Sequence, residues 1–173
     1  ILDICIIYLN VSVVLLQLEV NYEDKLKVVG MFITGVRLKG FQRLVHNNIQ
    51  EVSIDFTSPF QLVLGRNGSG KSSLMGELTP YPSHKDLYSD DGLRELYFNH
   101  RGSKYVVIDD FSLGKHSIFK DDELLHENLN PSMMKAVVKE LFGIDKTLAD
   151  ILTDKQKFTT MSSAERREII MRA

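Results

Sequence analysis

Residues 65–72 read GRNGSGKS and fit G-x-x-x-x-G-K-[ST] at every fixed position. The chemistry these residue types suit is the cradling of a polyphosphate. Gly65, Gly68 and Gly70 let the backbone curl so that successive N–H groups point inward at phosphate oxygens. Lys71 is placed to reach β- and γ-phosphates, and the Ser72 hydroxyl to ligate Mg2+. The flanks agree. FQLVLG, residues 60–65, is a nearly continuous apolar run, as in a strand buried on both faces. KSSLMGEL then reads as a helix that stops at Thr79-Pro80 and offers its positive N-terminal end to the same anion.

Such a loop binds nucleotide, but hydrolysis asks for a second carboxylate near Mg2+ and a group that orients water. YVVIDD, residues 105–110, is the stretch with the look of that carboxylate, through Asp109 and Asp110. Its setting argues otherwise. LRELYFNH and KYVVIDDFSL are two strand patterns separated by RGS, which suits a hairpin turn at Gly102. In a hairpin Tyr105, Val107 and Asp109 share one face, and both aspartates are expected at a solvated strand end.

The remaining elements must position the loop. FITGVRLKGFQRL, residues 32–44, alternates as a strand with one polar face, and EVSIDF places Val52, Ile54 and Phe56 together. YPSHKDLYSDDG reads as a polar surface loop, and KHSIFKDDELLHE supplies a third strand and a turn. NPSMMKAVVKELFG predicts a helix with Asn130 as N-cap, Pro131 at its first position and Gly143 at its end. Met134, Val137, Val138, Leu141 and Phe142 form its apolar stripe. IDKTLADIL predicts a short second helix, and Ser162 with Glu165 forms a capping box for a last one.

The 173 residues are enough for one core, perhaps with a small lobe, and 43% apolar with 25% charged residues is an ordinary globular composition. A net charge of −2 gives no general pull toward nucleic acid, though local basic strips remain possible. Lys155, Lys157, Arg166, Arg167 and Arg172 form one such strip, and Arg37, Lys39 and Arg43 another. Cys5 is the sole cysteine, which excludes a disulfide framework and makes a reducing, cytoplasmic setting the expectation. His46, His84, His100, His116 and His126 do not fall at metal-ligand spacing and read as loop or hairpin residues. The first 20 residues are strongly apolar, but Asp3, Asn10, Gln17 and Glu19 interrupt them, and no signal-peptide pattern is visible. The expected organisation is an upstream or non-native extension over 1–30, the nucleotide-binding lobe over 31–160, and the start of a coiled-coil helix over 161–173. A genuine extra strand or helix in 1–30 is the alternative.

Taken in order, FITGVRLKGFQRL, VSIDF, FQLVLGRNGSGKSSLM, KYVVIDDFSL, KELFGID and KFTTMSSAERREII resemble the N-terminal head lobe of SbcC-like ATPases of the SMC family. The likeness is greatest to the large subunits of recombination endonucleases in tailed phages and runs from Met31 to Ala173. It implies an α/β fold: a P-loop NTPase lobe of an ABC/SMC-type head, with a mixed sheet, an antiparallel meander and helices leading toward a coiled coil. It implies ATP and Mg2+ as cofactors, with Gly65, Arg66, Asn67, Gly68, Ser69, Gly70, Lys71, Ser72 and Ser73 in the phosphate loop. Gln156 falls near the family's Q-loop, where it would touch Mg2+ and the attacking water, and Arg43 near its adenine and ribose contacts. The implied partners are an SbcD-type nuclease, DNA ends and a second head in a homodimer, with no membrane. The implied activity is ATP hydrolysis by the full-length protein, in double-strand-break repair and recombination, with this stretch alone inactive. Two other readings stand beside it: a self-contained small NTPase or nucleotide kinase using Asp109 and Asp110, and an ATP-gated DNA clamp of RecF or SMC type without a nuclease.

Overall fold

A computed structural model of the chain describes residues 3–7, 31–58, 61–153 and 159–172. Six strands form its main sheet: β2 (Met31–Phe41), β3 (Glu51–Asp55), β5 (Tyr88–His100), β6 (Ser103–Asp110), β7 (Lys115–Lys120) and β8 (Glu123–Leu129). Their order is β3-β2-β5-β6-β7-β8, and a separate two-stranded ribbon joins β1 (Asp3–Ile7) to β4 (Gln61–Gly65). Every described pairing is antiparallel, so the mixed sheet expected from the family resemblance becomes an antiparallel one among the described residues.

Local chemistry explains the meander. The β5–β6 hairpin closes on Arg101 and Gly102, with φ of 51° and 82°, the two left-handed residues that a tight two-residue turn demands. Asp121 and Asp122 do the same between β7 and β8, at φ 50° and 68°. Asp121 is held there because its carboxylate accepts from the Lys104 N–H at 2.9 Å. KHSIFKDDELLHE thus yields two strands rather than one. The helix α3 (Pro131–Phe142) forms as its punctuation requires: the Asn130 side chain accepts from Met133 N–H, and Gly143 turns left-handed at φ 65°. It buries Met134, Val138 and Phe142 against the sheet. The Phe142 ring meets Phe98, Tyr105 and His100 edge-on at centroid distances of 5.2, 5.1 and 5.5 Å. Beyond it lie α4 (Lys146–Thr153) and α5 (Ser163–Arg172), and α5 carries the expected capping box: Ser162 N–H donates to the Glu165 carboxylate at 2.8 Å.

Four expectations change. The first strand ends at Phe41, and Gln42–Val45 winds into a helical turn, α1, which takes Arg43 out of the sheet. β4 is not buried on both faces: Leu62 and Leu64 are 55% and 59% exposed, because this strand sits in the ribbon and only Val63 leans on the core. The helix after the glycine loop, α2 (Lys71–Gly76), stops short of Thr79. The polar loop is partly core, since Tyr81 and Tyr88 are buried and β5 already begins at Tyr88. Tyr88 stacks on Phe111 at 4.1 Å and donates its hydroxyl to the Glu77 carboxylate at 2.8 Å. Burial followed by the Glu77 charge raises its phenol strongly.

The largest departure concerns Asp109. Leu38, Arg94, Asp109, His116 and Leu129 stand opposite one another across five strands, in one row on the inner face. The middle three are buried, with Arg94 and Asp109 at 0% exposure. Arg94 Nη1 donates to Asp109 Oδ2 at 2.5 Å, and His116 Nδ1 lies 2.6 Å from Asp109 Oδ1. The Ser83 N–H also donates to Asp109, at 3.1 Å. Burial alone would push the Asp109 carboxyl up, but the Arg94 charge and then His116 hold it below the usual carboxylate range. Asp109 is therefore not a solvated strand end, and His116 is a hairpin residue buried against it. Asp110 instead caps the β6–β7 turn, accepting from the Ser112 and Leu113 N–H groups at 2.9 and 3.1 Å.

Two outcomes follow from this packing. Asp109→Ala leaves the Arg94 guanidinium buried without its nearer counter-charge, a loss of about 3–5 kcal/mol, whereas loss of the half-buried turn cap in Asp110→Ala costs about 1 kcal/mol; urea denaturation of the two variants at neutral pH separates them. His100 is buried, both ring nitrogens lack a hydrogen-bond partner among the described residues, and burial, then Arg101, lowers its pKa. A lowered folded-state value means that the unfolded chain takes up the proton first. Stability from this group is thus full above about pH 6.5 and falls as pH drops below it. His100→Leu should flatten thermal stability between pH 7.5 and pH 5.5 relative to the parent, above the range where the carboxylates titrate.

Candidate nucleotide-binding site

The glycine loop occupies the turn from β4 into α2, where the sequence puts it. Gly68 and Gly70 are left-handed, with φ of 79° and 90°. A Cβ on Gly70 would lie 2.9 Å from Leu44 Cδ2, and one on Gly65 would lie 2.6 Å from Ser69 Oγ. Gly70 therefore suits glycine both for its left-handed backbone and for the close approach of Leu44, whereas a side chain at Gly65 would have to displace the Ser69 hydroxyl. Ser69 N–H donates to Arg66 O at 3.2 Å, and Leu74 N–H donates back to Gly70 O at 2.8 Å, which joins the loop to the helix.

Lys71 is folded back over the loop. Its Nζ donates to Gly65 O at 2.8 Å and to Arg66 O at 2.9 Å. The ammonium is thus stored at the mouth of the curl, on neutral carbonyls that a phosphate oxygen can replace with a stronger charged acceptor. Arg66, Asn67 and Ser72 are exposed, and Ser69, Lys71 and Ser73 are half-buried. The Ser72 hydroxyl stands in the first turn of α2, open to solvent. With six residues, α2 offers little dipole, so a bound anion would be held mainly by the curled backbone and Lys71. These residues fit a nucleotide with Mg2+: the left-handed Gly68 and Gly70 curl the backbone, and the cation and the hydroxyl stand at its rim.

Helical turn α1 abuts the loop through contacts that the sequence did not advertise. Leu44 packs against Gly70, and Asn47 Nδ2 donates to Arg43 O at 3.2 Å and to Gly68 O at 3.4 Å. Arg43 is exposed on this turn, so the position expected near the base and ribose does lie beside the loop. The polar run HNN after an apolar strand was the available signal for Asn47, since such side chains bond nearby backbone. Gln156 lies outside the described residues, as do Lys155 and Lys157. The basic strip expected on β2 is neutralised: Arg37 pairs with Glu51 and Glu95 at 2.7 and 3.4 Å, and Lys39 with Asp91 at 3.0 Å. Among the described residues no group of three or more His, Cys, Asp or Glu is placed to hold a metal, and no helix is long and apolar enough to cross a membrane.

A family model described as an AAA domain matches residues 36–79, from β2 through the glycine loop and α2. The structural maintenance of chromosomes protein 3 homolog of Plasmodium falciparum is 30% identical over 123 residues, 69% of this chain and 9% of that protein. The DNA replication and repair protein RecF of Francisella tularensis subsp. mediasiatica is 30% identical over 77 residues, 44% of this chain and 20% of that protein. RecF of Francisella tularensis subsp. novicida matches to the same extent, 30% over 77 residues. The chain thus spans 9% and 20% of the lengths of these relatives. Domain match and relatives together support an SMC/RecF-like ATPase family, and with it nucleotide binding.

Proposed function

We propose that this chain is the ATP-binding part of an SMC-like ATPase head that acts on DNA ends and controls an SbcD-type nuclease. The observation that carries the nucleotide assignment is Lys71 folded onto the Gly65 and Arg66 carbonyls inside a curl set by the left-handed Gly68 and Gly70. The names of the relatives, one a chromosome-maintenance protein and the other a replication and repair protein, support the DNA context. The motif series around FGID and the ERR helix supports the nuclease partner.

In this reading the loop N–H groups bind the phosphate chain as a fixed set of donors. Lys71 exchanges its two carbonyl acceptors for phosphate oxygens, so its charge moves from storage to use with little reorganisation. Ser72 presents its hydroxyl to Mg2+, and Gln156 orients water beside it. Mg2+, when bound, neutralises charge across the β- and γ-phosphates. Arg43 covers the base and ribose side. Hydrolysis belongs to two heads closed on each other in a homodimer, and closure is what the nuclease senses. Asp109 takes no part, because both of its oxygens are occupied by Arg94, Ser83 and His116. That occupancy speaks against the self-contained NTPase or kinase.

Titration of the chain with a fluorescent ATP analogue and Mg2+ tests the reading. Lys71→Ala should weaken binding about 10- to 100-fold, the worth of a charged hydrogen bond of about 1.5–3 kcal/mol, with circular dichroism unchanged. Equal affinity in parent and variant would remove the basis of the assignment.

A further inference from the structure

Helix α2 carries Lys71 and Ser72 yet is too short to stand alone, since isolated helices below about 12–15 residues are marginal in water. It is six residues long and buries one side chain, Leu74. Leu74 and Met75 seat it against the core beside α4 and β4, and contacts at its two ends add to that hold. The N-terminal end is set by Leu44 against Gly70. The C-terminal end meets Arg94.

Arg94 reaches from β5 into the segment that leaves α2. Its Nε donates to the carbonyl of Glu77, the residue that caps the helix, at 3.1 Å. Its Nη1 donates to Tyr81 O at 3.2 Å, and its Nη2 to Thr79 O. A cation at the C-terminal carbonyls of a helix is the favourable arrangement. Asp109 fixes the guanidinium from the opposite side and takes the Ser83 N–H as well. Glu77 closes the set, accepting from Ser83 Oγ at 3.1 Å and from Tyr88 at 2.8 Å. The Tyr81 hydroxyl ties the same segment to Ile144 O at 2.6 Å. From Lys71 to Glu77 the helix advances about 9 Å, so this clamp sits close behind the phosphate loop.

We propose that Arg94 and Asp109 are positioning residues for the nucleotide site: through residues 77–83 they lock α2 to the antiparallel meander, so that loop and meander move as one body. This rests on reading the glycine loop as the nucleotide site. Anything that shifts the meander then shifts Lys71 and Ser72, and occupancy of the loop is in turn felt along β5 and β6. Coupling of this kind is reciprocal.

The test uses the whole chain and two readouts. The double variant Arg94→Met/Asp109→Leu replaces the buried pair by apolar side chains of similar volume, an exchange that folds often tolerate. It removes every bond to residues 77–83 made by Arg94 and Asp109. Hydrogen exchange at residues 71–83 should accelerate in this variant under conditions where circular dichroism shows it folded. Its affinity for the fluorescent ATP analogue with Mg2+ should fall about tenfold, a change of about 1.4 kcal/mol. Arg94→Lys, which keeps the charge but loses the planar fork, should lie between parent and double variant. A folded variant with parental affinity, or with parental exchange over residues 71–77, overturns the proposal. If the double variant does not fold, Arg94→Lys and Asp109→Asn decide it by the same two measurements. If the parent binds no nucleotide, the site assignment fails, while the exchange comparison still decides whether Arg94 holds α2.

Discussion

A guanidinium with no access to water organises this fold. Moving an ion of that size into a low-dielectric interior costs several kcal/mol even after relaxation, about 20 in the idealised limit. The cost is met only if a counter-charge and nearly all of the N–H donors are supplied. Arg94 obtains its counter-charge from Asp109 directly opposite on β6, and a second from Glu77, whose carboxylate lies 3.5 Å from Nε. Burial acts to lower its basicity, and the two carboxylates outweigh that and raise it. The remaining donors can be satisfied only by backbone, and this requirement dictates the path of the chain after α2. Residues 77–81 present three carbonyls to one side chain, at Glu77, Thr79 and Tyr81. A segment of polar composition is thereby drawn down onto the sheet, bringing Tyr81 and Tyr88 into the core.

The same requirement explains the unequal legibility of the sequence. Helix α3 could be read residue by residue, because Asn130, Pro131 and Gly143 act within one helical turn of themselves. The β5–β6 hairpin was equally plain, since Gly102 answers a local demand for left-handed backbone. Asp109 was misplaced because its environment is made by residues distant in sequence: Arg94, Ser83 and His116. Its parity was nevertheless visible. Arg94 shares the alternation of Leu96 and Phe98, and Asp109 that of Val107 and Tyr105, so two opposite charges fall on the apolar side of one hairpin. A charge on a buried parity is a reason to look for its partner across the turn, and that rule would have found the pair. The glycine loop stood at the other extreme, with motif and flanks both in view. The hold that α1 exerts on it through Leu44 and Asn47 was hidden by the strand-like reading of residues 42–44.

β4 shows where pattern reading misleads for a different reason. QLVLG has the composition of a strand covered on both faces, yet among the described residues its antiparallel neighbour is β1, and Leu62 and Leu64 are exposed. Apolar runs report what a strand tolerates, while its cover is decided by what else packs there. The P-loop assignment does not depend on that cover. It rests on the backbone curl between Gly65 and Gly70, which the left-handed glycines set locally.

The two ends of α2 are therefore governed by opposite kinds of chemistry. At the N-terminal end Lys71 rests on two neutral carbonyls, an arrangement a charged ligand can displace. At the C-terminal end Arg94 rests on carbonyls and a carboxylate that no ligand reaches, because the pair is wholly buried. A cation that a charged ligand could draw away lies at one end of a short helix, and a cation fixed by burial lies at the other. The contrast follows from exposure: near solvent a lost hydrogen bond is replaced by water, whereas in the interior it is not. On the proposed reading, an exchangeable grip on phosphate works from a fixed reference, the inner face of the meander, which reaches α2 through the residues between Glu77 and Ser83.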